Sequence, residues 1–248
     1  TILWLTSSLF NQYADWDITV FEGLRTLLIG GEKLSNHHVD QVRRQYPELC
    51  VINGYGPTEN TTFTTCHHID QAYTGDIPIG TPVANTEVWI LDEAYEPVGG
   101  VGEICAGGDG LALGYLNDPE LTAQRFIDHP FTPGQRLYRT GDLGRWLADG
   151  TLEFRGRTDT QVKVRGHRVE TGEIETHINR CDGGTQAVVT ASDPGDGAGG
   201  SRSPAQAASF RPAVPCSTIR SFAPEPAVQV TVQTSPSGST SVRIGSSA

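Results

Sequence analysis

Three consecutive segments constrain this chain more than anything else in it. LRTLLIGG (residues 24–31) is a continuous apolar run stopped by two glycines, the pattern of a strand buried on both faces. LSNHHVDQVRRQYP follows, with Ser35 at the N-cap position of a helix that must stop before Pro47. LCVING then reads as a second strand. Strand, helix and strand within about thirty residues predict a parallel βαβ unit. Open α/β sheets place their ligands beyond the carboxyl ends of such strands, and the loop leaving this one is NGYGPTENTT (residues 53–62).

That loop offers chemistry. Tyr55, between Gly54 and Gly56, can expose a ring face to a flat heteroaromatic ligand such as a purine. Thr58 brings a hydroxyl for a phosphate oxygen, and Glu59 is a hard carboxylate suited to Mg²⁺, which takes one or two carboxylates together with phosphates and waters. On their own these residues also describe an ordinary turn with a solvated glutamate. Downstream, ANTEVWILD, GEICAGG, RLYRTGDLGRWLADGTLEFRGR and QVKVRG alternate in character and are broken by Asp-Gly and Gly-Gly turns, which predicts antiparallel hairpins forming a small barrel-like region. Helices are predicted at NDPELTAQRF, with Asn117 or Asp118 as cap and Pro119 in the first turn, and at ETGEIETHINR. Asp142 follows Thr140 and Gly141 at a tight bend, an acceptor suited to both hydroxyls of a ribose. Arg157 and Asp159 stand two apart, and Lys163 and Arg165 alternate on one face of the next strand, a cationic set able to attend phosphates. Alone, such charges describe a solvated strand. Aromatic platform, metal carboxylate, ribose acid and phosphate cations together describe a Mg·ATP site.

In order and spacing, NGYGPTE, GEICAGGDGLALGYLNDPELTAQRF, YRTGDLGRW and GRTDTQVKVRGHRVETGEIE closely resemble the amino-acid-activating adenylation domains of nonribosomal peptide synthetases, within the adenylate-forming superfamily, over residues 1–190. The resemblance implies an α/β fold: residues 1–157 as the C-terminal part of the large AMP-binding subdomain, 158–192 as the start of a small α+β subdomain, and 193–248 as a tail unlike the family. It implies a two-step reaction, in which an amino-acid carboxylate attacks the α-phosphate of Mg·ATP and the acyl group then passes to the phosphopantetheine thiol of a peptidyl carrier domain. By resemblance, Gly54, Tyr55, Gly56, Thr58, Asp142 and Arg157 bind the nucleotide and Glu59 holds Mg²⁺. Thr58, Glu59, Asp159 as the hinge and Lys163 on the strand turned to the thiol site carry the catalysis. The matching side-chain pocket is Trp4, Leu28, Gly30, Gly54, Thr62 and Phe63, with bulky apolar walls, room at the glycines and no charge, which looks like the lining of valine-activating members. A charged side chain would lie unpaired there at a cost of several kcal/mol, to order of magnitude. Isoleucine and leucine differ by one methylene, which a pocket resolves by only about 1–3 kcal/mol. The alternatives are an acyl-CoA synthetase or aryl-acid ligase of the same superfamily, or a non-catalytic remnant.

Composition narrows the partners. A net charge of −11 and a pI near 5.0 argue against nucleic acid and against an anionic membrane surface. No window approaches the roughly 20 apolar residues of a membrane span, and no basic-then-apolar leader follows Thr1, so a cytoplasmic location is expected. The partners expected are an amino acid, carrier domains and neighbouring synthetase domains. Cys50, Cys66, Cys105, Cys181 and Cys216 form no CxxC pair and read as reduced thiols, and His37-His38 and His67-His68 lack metal-ligand spacing. The chain has no methionine, lacks the family's phosphate loop and the acid that pairs with the substrate's amino group, and has only two lysines, Lys33 and Lys163, neither in an Asn-Gly-Lys turn. A piece of something longer, inactive alone, is therefore expected. Beyond Asp193 the text turns to Ser, Pro, Ala and Gly, which predicts little structure over 193–248 apart from a short strand near Val228 to Val232. A frame shift or misjoined exon explains that change, with a genuine linker as the competing reading.

Overall fold

A short apolar strand, β1 (Ile2–Thr6), opens the first sheet and hands over directly to α1 (Ser7–Trp16), because the Thr6 hydroxyl accepts from the Leu9 N–H and caps the helix. A 3₁₀ turn at Ile18–Phe21 leads to β2 (Thr26–Gly30), α2 (Asn36–Gln45) and β3 (Cys50–Tyr55). The three strands pair in parallel, which makes the βαβ unit the sequence predicts. β4 (Thr65–His68) and β5 (Thr81–Pro82) extend it antiparallel into a five-stranded sheet in sequence order. The computed structural model describes residues 1–159, 161–164, 167–170, 174, 187–191, 228–234 and 240–246.

Alternation along β2 sorts its side chains to two faces. Leu27 and Ile29 are fully buried beneath the helices with Phe10, Val39 and Val42, while Leu28 and Gly30 look the other way. Arg43 and Arg44 in the last turn of α2 suit its negative end. Ser35 occupies the N-cap of that helix but makes no capping hydrogen bond; its Oγ lies 2.7 Å from His38 Nδ1. The expected cap is thus positional only.

The second sheet is antiparallel. Its elements are β6 (Thr86–Leu91), β7 (Gly102–Gly108), α3 (Pro119–Arg125), β8 (Phe126–Asp128), β9 (Arg136–Trp146) and β10 (Leu152–Arg157). The strands run in the order β10-β9-β7-β6, with β8 on β9, and no pairing among the described residues closes this path into a ring. Asp118, not Asn117, caps α3, accepting from the Leu121 N–H at 2.9 Å ahead of Pro119. Ile79, Ile90, Ile104 and Leu152 fill one core, and Leu91, Cys105 and Leu137 another.

Contacts divide the chain into two units, Thr1–Asp159 with Arg165–His167, and Thr160–Val164 with Arg168–Ala248. Both sheets above belong to the first. Beyond them come the short strands β11 (Val162–Val164) and β12 (His167–Val169), then β13 (Ala187–Ala191), β14 (Val228–Thr234) and β15 (Thr240–Ser246). β15 lies between β13, to which it is parallel, and β14, to which it is antiparallel. The strand expected near Val228 is present and runs on to Thr234. Thr240–Ser246 is a strand that composition alone did not announce. The rest of the tail, Arg165, and the segment ETGEIETHINR apart from Glu170 and Ile174 lie outside the described residues. Among the described residues no helix is long and apolar enough to cross a membrane.

Candidate functional site

β3 ends at Tyr55, and the chain then turns sharply: Thr58–Asn60 form one 3₁₀ turn, and Thr61 and Thr62 follow with φ of 47° and 66°. Two successive β-branched residues in the left-handed region are costly, and such strain persists only where surrounding bonds over-determine it. Here the Thr64 N–H donates to the Tyr55 carbonyl at 2.7 Å, Asn60 Nδ2 to Thr64 Oγ1 at 3.0 Å, and Thr61 Oγ1 to the Gly110 carbonyl at 2.6 Å. A Cβ on Gly56 would sit 2.6 Å from Thr62 O, so this fold-back needs a glycine. Thr58 is exposed at the head of the turn, whereas Glu59 is buried.

Tyr55 is half-buried, its ring tilted against Phe154 and its hydroxyl donating to Asp142 Oδ2 at 2.6 Å. Burial pushes its phenol well up, and the neighbouring Asp142 charge and hydrogen bond add to that, so it stays a donor. Asp142 is itself buried in the middle of β9. Its Oδ1 accepts from Arg157 Nη1, and Arg157 also holds Asp159 through Nε (2.7 Å) and Nη2 (2.9 Å) and the Thr140 carbonyl through Nη2 (3.1 Å). Burial works against the Arg157 charge, yet the hydrogen bonds and charges of Asp159 and Asp142 outweigh it and raise its pKa. Arg125 reaches Asp159 from α3 at 3.6 Å. Gly141, at φ +73°, leaves room for this cluster: a Cβ there would lie 2.8 Å from Arg157 Nη2. The Gly141 N–H donates to Glu103 Oε1 at 3.0 Å, and Arg139 grips the other Glu103 oxygen at 2.7 and 3.0 Å. Four of the predicted residues, Tyr55, Asp142, Arg157 and Asp159, thus come together, and Lys163 lies in β11 of the other unit.

Four of the expected pocket residues, Trp4, Leu28, Gly30 and Gly54, share one sheet face. Register sets Trp4 beside Leu28 and Gly30 beside Gly54. The Phe63 ring covers Gly54, so close that a Cβ would meet its Cε1 at 2.4 Å, and it meets Trp4 edge-on with centroids 6.3 Å apart. A Cβ on Gly30 would strike the Gly54 carbonyl oxygen at 2.2 Å. Trp4 remains 47% exposed and Thr62 is exposed beside the turn, so the face is apolar and open.

Glu59 has partners that sequence reading missed. Tyr115 donates its hydroxyl to Glu59 Oε1 at 2.7 Å, and the Tyr138 hydroxyl lies 3.3 Å from that of Tyr115. Burial first, then the bond to Glu59, raises the Tyr115 pKa far above its usual range. Arg125, Glu103 and Arg139 were missed as well; no spacing rule links them to the loop. Among the described residues no three His, Cys, Asp or Glu gather into an all-protein cage. One buried carboxylate beside threonine hydroxyls is nonetheless a donor set that fits Mg²⁺ shared with phosphate oxygens.

Comparison with known proteins gives these residues a setting. The AMP-binding enzyme family matches residues 1–116. A plipastatin synthase polypeptide of Bacillus subtilis is 56% identical over 193 residues, 77% of this chain and 8% of the relative. Gramicidin S synthase 2 of Brevibacillus brevis is 51% identical over 199 residues, 79% of this chain and 4% of the relative. The chain belongs to the adenylation domains of nonribosomal peptide synthetases. Among solved structures, holo-PA1221, a nonribosomal peptide synthetase protein containing adenylation and PCP domains, is similar to this adenylation-domain chain with a TM-score of 0.69 and 45% identity, over 72% of this chain and 32% of that one. The adenylation-domain chain therefore spans less than a tenth of the curated relatives it matches and about a third of that solved structure.

Proposed function

We propose that this chain carries the nucleotide and side-chain parts of a site that activates an aliphatic amino acid, valine or a close homologue, as its aminoacyl adenylate. One observation carries the reading: Gly54 and Tyr55 are neighbours at the end of β3, the first on the apolar face with Trp4, Leu28, Gly30 and Phe63, the second bonded to Asp142. An amino-acid side chain and a nucleotide would meet there, the arrangement that a carboxylate attacking an α-phosphate requires.

In this reading Asp142 accepts the ribose hydroxyls and Tyr55, tied back by its own hydroxyl, offers its ring to adenine. Arg157 balances Asp142 and would reach the ribose or phosphates. Gly54 and Gly56 let the backbone approach the nucleotide, and Thr58 contacts phosphate. Glu59 would hold Mg²⁺, whose chemistry when bound is to neutralise charge on the phosphates. The substrate carboxylate oxygen forms the new bond to the α-phosphorus while the bond to pyrophosphate breaks. A carrier-domain thiol then attacks the acyl carbon and AMP leaves. The division at residues 157–158, the hinge role of Asp159 and the role of Lys163 in the thiol step belong to the same proposal, and neighbouring synthetase domains are its wider setting.

Thermal unfolding of the chain with added ligands tests the reading, since anything that binds the native state alone raises the midpoint. Mg·ATP is expected to raise it, and L-valine with Mg·ATP to raise it further than L-lysine or L-glutamate does. An aryl or fatty acid replacing valine would favour the acyl-CoA or aryl-acid alternative. Absence of any response to nucleotide would sink the proposal.

A further inference from the structure

We infer that Tyr115 is a positioning residue for Glu59, and that residues 110–115 form a strap that fixes the metal carboxylate from behind. The inference rests on Glu59 as the metal ligand proposed above. Three hydrogen bonds tie the strap to the turn that bears Glu59: Thr61 Oγ1 to the Gly110 carbonyl at 2.6 Å, the Ala112 N–H to the Glu59 carbonyl at 2.8 Å, and Tyr115 Oη to Glu59 Oε1 at 2.7 Å. Two of them grip the turn away from its carboxylate. The third holds the carboxylate.

The strap is itself braced. Arg136 Nη1 and Nη2 donate to the Leu113 and Ala112 carbonyls at 3.0 and 3.1 Å, and the Tyr115 N–H donates to Thr122 Oγ1 at 2.8 Å. A Cβ on Gly114 would lie 2.4 Å from Thr122 Cγ2, so the strap passes tightly over α3. The Tyr115 ring stands edge-on to Phe126 with centroids 5.6 Å apart. Its hydroxyl is thus delivered to Glu59 by a frame of β8, β9 and α3 rather than by a mobile loop. A glutamate has three side-chain torsions, and a metal that takes a single protein carboxylate depends on that carboxylate being aimed before it arrives. The plain structural account is that Tyr115 only satisfies a buried carboxylate. The two accounts part on metal affinity.

The test compares the full chain with Tyr115→Phe, which keeps the ring and removes one oxygen. The measurement is the Mg²⁺ concentration that gives half of the ATP-induced thermal stabilisation, with AMP in the absence of metal as control. Loss of an orienting partner typically weakens a metal site by about 10–100-fold, so the Mg²⁺ midpoint is expected to rise about tenfold or more while metal-free AMP stabilisation stays as in wild type. A midpoint unmoved in Tyr115→Phe, or an equal loss of AMP and Mg·ATP binding, overturns the inference and leaves the site reading standing. A wild-type chain that binds ATP with no dependence on Mg²⁺ overturns the metal role of Glu59 and the inference with it. Should Tyr115→Phe not fold, Tyr138→Phe, which loosens the Tyr115 hydroxyl from one side, is expected to raise the midpoint in the same direction by a smaller factor; no rise overturns the inference.

Discussion

Two glycines on the pocket face resist a methyl group for different reasons, and the difference has a size. In Gly30→Ala the new Cβ falls 2.2 Å from the Gly54 carbonyl oxygen, a backbone atom locked in the β2–β3 ladder. Relief requires the two parallel strands to part at their carboxyl ends. In Gly54→Ala the three nearest atoms, at 2.4 to 3.1 Å, all belong to the Phe63 ring, which is half-buried and can swing at the loss of its edge contact with Trp4. Overpacking costs roughly 1–3 kcal/mol, so Gly30→Ala should cost about 3 kcal/mol and Gly54→Ala about 1 kcal/mol. Gly75→Ala meets nothing within 4 Å and should stay within about 1 kcal/mol of wild type. For a unit of this size each kcal/mol moves the midpoint by about 2–4 °C, so Gly30→Ala should melt about 4–8 °C below Gly54→Ala. Calorimetry of the three variants checks the order. Equal midpoints for Gly30→Ala and Gly54→Ala would refute the claim that the Gly54 backbone, not the Phe63 ring, sets the limit. Where Gly54→Ala folds, its methyl fills pocket volume and should shift ligand preference from valine toward alanine.

Further outcomes follow from the ion cluster and the buried thiol. Tyr55→Phe removes one donor to a carboxylate and should cost about 1.5–3 kcal/mol in chemical denaturation, with adenine stacking retained. Asp142→Asn leaves Arg157 its bonds to Asp159, so the loss should fall short of the roughly 3–5 kcal/mol for a fully buried pair; it should also erase any preference for ATP over its 2′-deoxy analogue in a binding titration. Burial pushes the Cys105 thiol up to about 12, with Glu103's charge adding to it. Raised in the folded state, it contributes stability present below about pH 9 and lost as pH climbs toward 12, the direction Tyr55 and Tyr115 also take. At pH 9 only about one folded Cys105 in a thousand is thiolate, so iodoacetamide should label it far more slowly than in the denatured chain, as mass spectrometry would show.

Much of the fold was legible because period and punctuation agree. The apolar run before Gly30 and the capped, Pro-limited helix leave a βαβ unit as the one economical solution. The Asp118 cap was legible because Pro119 follows it. Ser35 misled because His38, three residues on, competes for the same hydroxyl. β1 passes into α1 through the Thr6 cap without a glycine or proline to mark the change, and β15 was hidden because the short alternation in TSVRIGS sits within Ser-, Pro- and Gly-rich text. In the site, residue types were readable while partnerships were not. Tyr55 and Asp142 are 87 positions apart and Glu59 and Tyr115 are 56 apart, distances at which no helical or strand period links one residue to another.

The most direct test is calorimetric titration of the chain with a non-hydrolysable valyl adenylate, in which a sulfamate replaces the phosphate, against its lysyl and glutamyl counterparts and against the chain carrying Asp142→Ala. The valyl compound is expected to bind at least about tenfold more tightly than either charged one, the consequence of an apolar pocket with no counter-charge, and Asp142→Ala to weaken all three alike. Equal or tighter binding of a charged analogue, or full affinity without the Asp142 carboxylate, would contradict it.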